Sequence, residues 1–329
     1  MIITQTPVRV SFLGGGTDYP AYFRQHGGMT LVGTINSYTL ITVQRLTQFV
    51  DHRVRVHYSQ VESVRHIDEI RHPSARECLR FLGLDGGLEI HYVSDLPART
   101  GLGSSSSATV GLLHALHAFK GEMVSREQLA AEAIYVEQEL IKERVGCQDQ
   151  YACALGGFLH LEFHRDGSVR ADPIVLSQKR LRTLEERLML FYTGIQRDAH
   201  EVLDEQIERT ESGQNTVELD NLKTLVGQGV DLLTNGKHLS EFGALLHESW
   251  ITKRRLSRKI TTSWIDEIYD RALRAGATGG KLLGAGGGGF ILLYVEPGKS
   301  NRVRNALPEL REAKFSFETS GSQVIFYRP

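Results

Sequence analysis

The sequence has no apolar run approaching the ~18 residues needed to cross a bilayer. Its start, Met1-Ile2-Ile3-Thr4, lacks the basic segment and apolar core of a secretory leader. Net charge is almost absent too, since 38 Lys and Arg against 39 Asp and Glu leave −1. No global field therefore draws the chain to nucleic acid or to an anionic membrane. The three cysteines, Cys78, Cys147 and Cys153, form no metal-binding pair and leave one over in any disulfide scheme. A reducing cytoplasm is the simplest setting for them. Internal repeats and low-complexity tracts are missing as well. What is left is an ordinary globular composition, 41% hydrophobic and 23% charged over 329 residues, enough for one large or two medium domains.

Glycine is the residue in excess. The 33 glycines compare with roughly 23 expected at a usual share of about 7%. The surplus sits in three places: Gly14-Gly15-Gly16, then Gly101 and Gly103, then Gly279, Gly280, Gly284 and Gly286-Gly287-Gly288-Gly289. Neither a collagen period nor a Gly/Ser linker distributes glycine in this way. Each cluster abuts an apolar run, the pattern of backbone shaped around a site.

Period-two and β-branched segments predict strands at 8–13, 38–46 and 54–58, then a short helix near 65–82 and a strand at 88–93. Serines 104–107 open a long helix over 108–119. Ser125 with Gln128 gives the capping-box spacing for a second helix running to about residue 142. Strands near 158–163 and 188–192 follow. From 199 to 275 the pattern is helical, with polar breaks at Gly213-Gln214-Asn215 and Asn235-Gly236. From 289 to 329 it returns to strands around one helix. The change of character sets a boundary between 180 and 200, giving domains 1–185 and 186–329.

Four local patterns imitate known sites and fail. Around Gly280-Lys281 a Walker A loop would need Gly at Ala275 and Ser or Thr at Leu282. His164-Arg165-Asp166 has Ala171 where a protein-kinase catalytic loop has Asn, and Asp166-Gly167 reads as a hairpin turn. Gly101-Leu102-Gly103 lacks the third glycine of a dinucleotide fingerprint. His114 and His117 lie three apart on an apolar helix with no third ligand nearby, so packing is expected of them.

The middle cluster carries the clearest chemistry. In Pro97-Ala98-Arg99-Thr100-Gly101-Leu102-Gly103-Ser104-Ser105-Ser106-Ser107 a glycine loop runs into a helix start with four hydroxyls. A helix N-terminus offers unpaired N–H groups and the positive dipole end to phosphate. Glycine lets backbone approach the anion, and serine can donate to phosphate or ligate Mg²⁺. A capped flexible loop would need only one serine. The terminal cluster reads either as a hairpin turn or as a loop packed against other backbone or ligand. Asp18, after the first cluster, suits an Asx-turn or a contact to a substrate hydroxyl. Glu137 lies on the apolar stripe of its helix with Ala133 and Leu140, where a carboxylate needs a cation or donors. An Mg²⁺ site and a structural ion pair both satisfy it. Asp149 follows a glycine break and could equally cap the next turn.

Taken in order, these sites resemble the GHMP kinase superfamily. The residues 97–105 match its P-x3-G-L-x-S-S signature, and 284–289 its G-A-G-x-G-G signature. Arg9-Val10-Ser11-Phe12-Leu13-Gly14-Gly15-Gly16-Thr17-Asp18-Tyr19 resembles the galactokinase-type R-[VI]-x-x-x-G-x-x-T-D-Y. Within the superfamily, Gly14-Gly15-Gly16-Thr17-Asp18, Gly146-Cys147-Gln148-Asp149-Gln150-Tyr151 and Tyr192-Thr193-Gly194-Ile195 are most similar to D-glycero-D-manno-heptose 7-phosphate kinases. The chain departs from galactokinases by having Gly15-Gly16 in place of Glu-His. That loss is expected to open space and remove a negative charge, suiting a larger anionic sugar.

The resemblance implies an α+β chain with an N-terminal domain like the second domain of ribosomal protein S5. A ferredoxin-like C-terminal domain with extra helices would follow. It implies ATP held at Gly101, Leu102, Gly103, Ser104, Ser105, Ser106 and Ser107, with Mg²⁺ on Ser105 and Glu137. Asp149 would accept the proton of an anomeric hydroxyl, and Arg9 would pair with it and stabilise developing charge. Gly15, Gly16, Thr17, Asp18, Gly286 and Gly287 would line the sugar. Arg197, and less strongly Arg99, would hold a substrate phosphate. The partners expected are then a sugar phosphate and ATP, with no nucleic acid and no membrane, and the resemblance leaves room for a homodimer.

Overall fold

The computed structural model describes residues 1–97, 100–195, 200–236 and 238–328. The chain begins β1 (Ile2–Leu13), α1 (Pro20–His26), β2 (Gly28–Arg45), β3 (Val54–His57), β4 (Val61–Val64), α2 (Pro73–Phe81) and β5 (Leu88–Ser94). Next come α3 (Ser104–Lys120), α4 (Arg126–Tyr135), α5 (Gln148–Leu155), β6 (Phe158–Phe163), β7 (Val169–Pro173), α6 (Gln178–Arg187) and β8 (Leu188–Tyr192). The remainder is α7 (His200–Glu211), α8 (Thr216–Thr234), α9 (Ser240–Lys253), α10 (Ser263–Ala275), β9 (Ala277–Leu282), β10 (Phe290–Val295), α11 (Ser300–Ala306), β11 (Arg311–Ala313) and β12 (Gln323–Tyr327).

Two sheets result. In the first, β12, β1, β2, β5, β3 and β4 are successive neighbours. Strand β2 is long enough to serve two strands in turn, β6 along 28–33 and β5 along 39–45. The second sheet is antiparallel in the order β11-β8-β10-β9. In chain order that is 4-1-3-2, the ferredoxin-like arrangement, with α7 to α10 as the extra helices in one crossover and α11 in the other.

Burial explains how the sheets are held together. Strand β1 alternates over its first four residues and is then buried at every position, because helices cover both of its faces. Phe12 stacks on Phe158 at 5.0 Å and also meets Phe242 and Phe317. One apolar core therefore joins Val10, Phe12 and Leu31 of the first sheet to Leu292 of the second and to Leu225 and Phe242 on α8 and α9. Each such side chain contributes about 1.5–3 kcal/mol on burial, so the two sheets and their glycine loops keep one mutual placement. A second core under α3 gathers Val54, Val56, Ile90, Leu112 and Leu116. All three cysteines are free and buried. No helix of the described residues is long and apolar enough to cross a membrane.

Two expectations about organisation are corrected. The division at 185/186 falls inside α6, and the chain's end does not stay with the second sheet. Strand β12 pairs with β1, Phe317 bridges Ile35, and the Glu318 N–H donates to the Thr34 carbonyl at 2.9 Å. The open edge of β1 supplies the backbone partners that β12 lacks locally. Gly279 and Gly280, grouped above with the terminal loop, lie inside β9, so only 283–289 form the loop between β9 and β10. The turn at Asp166-Gly167 joins β6 to β7 as expected, with Gly167 N–H donating to the His164 carbonyl at 3.0 Å. His114 bonds Ser322, and His117 lies between Glu122 and Glu132.

Candidate active site

The loop after β5 enters α3 through Gly103, which takes a left-handed conformation (φ 75°) at the helix start. No side chain of the described residues caps this first turn, so its N–H groups and positive dipole end face the loop. The four serines divide. Ser104 is half-buried and Ser105 exposed, whereas Ser106 and Ser107 turn inward. The Ser106 hydroxyl donates to Glu137 Oε2 at 3.0 Å, and that of Ser107 to the Thr6 carbonyl at 3.0 Å. The expectation placed Mg²⁺ on Ser105 and Glu137; the hydroxyl that bonds the carboxylate directly is that of Ser106. Neighbouring helical residues point about 100° apart, and Ser106 is the one directed at the carboxylate.

Gly101 and Gly284 explain why both loops are rich in glycine. A Cβ on Gly101 would run into the Leu283 carbonyl, and one on Gly284 into the Gly101 Cα. Both residues have positive φ, 83° and 76°. The terminal loop thus lies directly behind the phosphate-type loop, tied to it by Phe290 N–H donating to the Thr100 carbonyl at 3.2 Å. Leu102 is fully buried there, its carbonyl accepting from Arg9 N–H at 2.9 Å.

Beside Gly103, Arg9 and Asp149 form a bidentate pair. Arg9 Nε donates to Asp149 Oδ1 at 2.7 Å and Nη2 to Oδ2 at 2.6 Å, while Nη1 donates to the Gly101 carbonyl at 2.6 Å. Burial opposes the Arg9 charge, but Asp149 outweighs it and raises the guanidinium pKa. The Arg9 side chain is 5% exposed and that of Asp149 23%, so the carboxylate keeps an open side. Asp149 lies in the first turn of α5 and Cys147 at the N-cap, so Asp149 does not cap the helix.

Glu137 sits where α4 widens into a π-turn over Val136–Leu140, an irregularity common at functional sites. Its residue is 1% exposed, and Oε2 accepts from Ser106 and from Gln150 Nε2 at 2.5 Å. Oε1 is buried with no hydrogen-bond partner among the described residues. Burial pushes this carboxyl up to about 7, against the Gln150, Thr109 and Ser106 donors. An orphaned carboxylate oxygen held off its ordinary charge state is what a cation at this point would relieve.

The first glycine loop is built differently from the reading above. Thr17 is fully buried, and its hydroxyl is engaged with the Gly14 and Met29 carbonyls at 2.8 and 2.7 Å, so it shapes the loop and has no hydroxyl to offer a sugar. A Cβ on Gly16 would meet Leu219 at 3.2 Å, Gln206 at 3.3 Å and Leu256 at 3.5 Å. The space vacated at Gly16 is therefore filled by side chains of α7, α8 and the segment after α9, so the expected enlargement of the sugar site does not arise there. Gly287 N–H donates to the Ile260 carbonyl at 2.8 Å, and a Cβ on Gly286 would meet Ile260 at 2.7 Å, so both pack on backbone instead of lining a sugar. Asp18 is 1% exposed; Oδ1 accepts from Gly16 N–H at 3.0 Å and Oδ2 from Gln148 Nε2 at 3.1 Å. Burial raises its pKa. Ser11 Oγ and Gln148 Oε1, close by Gly15, are buried without partners among the described residues. Arg99 and Arg197 lie outside the described residues.

Sequence models of the GHMP kinases N terminal domain and the GHMP kinases C terminal match residues 70–157 and 230–312. The chain belongs to the GHMP kinase superfamily. It is a phosphotransferase with an alcohol acceptor, a sugar kinase of a family that uses ATP as co-substrate. The kinase is 29% identical, over 93% of both chains, to D-glycero-alpha-D-manno-heptose 7-phosphate kinase of Campylobacter jejuni. It is 26% identical, over 94% of its own length and 31% of the relative's, to a bifunctional fucokinase/GDP-fucose pyrophosphorylase of Arabidopsis thaliana. A D-glycero-D-manno-heptose 1-phosphate kinase from Bacteroides thetaiotaomicron shares its fold, with a TM-score of 0.81 at 23% identity over both whole chains.

Two lysines of the kinase were not singled out from sequence. Lys253, at the end of α9, is 6% exposed, and its ammonium donates to the Gly284 carbonyl at 2.5 Å, where the two glycine loops touch. Burial lowers its pKa to about 8; Asp18 and Asp149 pull it up and Arg9 pushes it down, which places it electrostatically among the site groups. Lys281 on β9 is 1% exposed and donates to the Phe12 carbonyl at 2.9 Å. Burial holds its pKa well below the ordinary value, with Lys253 and Arg9 adding to the effect. Lys281 thus ties β9 to β1. The signal for Lys253 was present: Phe242, Leu246 and Trp250 form an apolar stripe on α9, and Lys253 continues it by three residues, as Glu137 does on its helix.

Glu137 gives a prediction for the metal-free kinase. Its folded pKa, about 7, lies above the ordinary carboxyl value of 4.5, so its stabilisation is complete below 4.5 and lost as pH rises through 7. Between about pH 5 and pH 8, wild type is expected to lose about 2.5 kcal/mol relative to Glu137→Gln. Denaturant melts in chelator measure this, and parallel stability curves for the two proteins would contradict it.

Proposed function

We propose that this sugar kinase transfers the γ-phosphoryl group of ATP to the anomeric hydroxyl of D-glycero-D-manno-heptose 7-phosphate, giving the 1,7-bisphosphate. The observation that carries the reading is the Arg9–Asp149 pair, fixed beside the uncapped start of α3 with one side of the carboxylate open. Asp149 takes the proton of the acceptor hydroxyl as its oxygen attacks the γ-phosphorus, and the bond from that phosphorus to the ADP oxygen breaks. Arg9 holds the carboxylate in register and lends positive charge to the transferring group. The α3 N-terminus and Ser104 and Ser105 bind ATP phosphates. Glu137 and Ser106, with Ser105 at the rim, would hold Mg²⁺, which when bound neutralises phosphate charge.

The acceptor reading rests on three further features. Asp18, Ser11 and Gln148 present buried oxygens suited to sugar hydroxyls. Lys253 supplies a buried cation for an anionic acceptor. The similarity to the Campylobacter jejuni heptose 7-phosphate kinase covers nearly the whole chain. A free-sugar reading, for fucose or another hexose, draws on the filled space at Gly16, which removes one reason for a larger substrate. ADP release measured across heptose 7-phosphate, the free heptose, fucose, galactose and mevalonate decides between them. The heptose phosphate should exceed every other acceptor in kcat/KM by at least about a hundredfold. A free hexose in first place overturns the substrate, and no ADP release with any acceptor, although ATP and sugar bind, would mark a sensor.

A further inference from the structure

Away from the cleft, on the open face of the first sheet, β3 and β5 pair in parallel with His57 opposite His91 and Arg55 opposite Glu89. Alternation along both strands turns Val54, Val56, Leu88 and Ile90 into the core, all 0% exposed, and leaves His57, Glu89 and His91 together on the other face. The two imidazoles stack with centroids 4.1 Å apart and planes 8° from parallel. Both Nε2 atoms converge on one oxygen, Glu89 Oε1, at 2.7 Å from His57 and 3.2 Å from His91. The other oxygen, Oε2, accepts from Gln44 Nε2 on β2 at 3.1 Å, which aims Oε1 at the histidines. Arg55 stands farther off, its Nη1 3.7 Å from Oε1 and its Nε turned to Ser63 Oγ.

We propose that His57, Glu89 and His91 bind a borderline transition-metal dication, Zn²⁺ in the first place. Two imidazole nitrogens and one carboxylate oxygen, all within 4.8 Å of one another, are the donor set of a three-ligand Zn²⁺ site with open positions for water. The strands fix all three backbones, and Gln44 supplies the outer contact that orients the carboxylate. With side chains 29%, 13% and 36% exposed, the group is reachable from solvent. The other His and carboxylate group, His160, Glu162 and Asp172, is looser: His160 Nδ1 stands 3.9 Å from Glu162, and Asp172 is paired with Arg170.

The full chain, stripped with chelator and kept in excess Mg²⁺ to occupy the cleft, is titrated calorimetrically with Zn²⁺ alone. One ion per chain is expected. His57→Ala, His91→Ala and Glu89→Gln should each weaken it at least about tenfold, and Asp172→Asn should leave it unchanged. Cu²⁺ in the same site should show two nitrogen ligands by electron paramagnetic resonance. Melting in chelator checks folding of each variant, and Glu89→Gln keeps the volume and the Gln44 contact. Zn²⁺ affinity indifferent to His57, His91 and Glu89, loss on Asp172→Asn instead, or fewer than two nitrogens on Cu²⁺ overturns the proposal.

Discussion

Asp149→Asn is expected to reduce kcat by about a thousandfold or more while ATP affinity stays at the wild-type level. Asparagine keeps the shape of the side chain and one oxygen for Arg9, but it cannot take a proton from the acceptor. Asp149→Ala removes the Arg9 contact as well. Among the described residues the Arg9 side chain then retains its 2.6 Å bond to the Gly101 carbonyl, beside the phosphate-type loop, so some loss of ATP affinity is expected in that variant and not in Asn. Single-turnover phosphoryl transfer with a parallel nucleotide-binding titration separates the two effects. Near-normal transfer by Asp149→Asn would remove Asp149 from the role of base, and an equal loss of ATP binding in both variants would make it a structural partner of Arg9.

The parts of this site legible in the sequence are those that local physics decides. Glycine beside four serines announces a helix start, and the structure opens α3 at Ser104. Glu137 on an apolar stripe announces a buried carboxylate, and the residue is 1% exposed. The same holds for β6, whose alternation lies between Gly156-Gly157 and the turn at Asp166-Gly167, and for β8, whose continuous apolar run reads as a buried strand. What was not legible depends on partners distant in the chain. A helical pattern leaves four serines equivalent until the position of Glu137 chooses among them, and the π-turn over Val136–Leu140 shifts that position. Gly16 reads as an empty place until Leu219 and Leu256 are known to fill it. The return of β12 to β1 spans almost the entire sequence, so no local composition marks it.

Lys253 should give the second largest effect, and its titration makes the test selective. On the proposed function, charged Lys253 would meet the acceptor's phosphate, and neutral Lys253 would leave that anion without a partner. Its folded pKa of about 8 is depressed by burial, so the charged form is present below that value and lost as pH rises through it. The kcat/KM for the sugar phosphate, which reports free-enzyme groups, should therefore fall above about pH 8. Lys253→Met should lower kcat/KM by about a hundredfold at pH 7, mainly through KM, and abolish that limb. Lys253→Arg should restore part of the activity and carry the limb out of range, since guanidinium stays protonated. The KM for ATP should change little in any of these proteins. A limb near pH 8 that persists in Lys253→Arg, or a loss confined to kcat with KM unmoved, would reduce Lys253 to a tie on the Gly284 carbonyl.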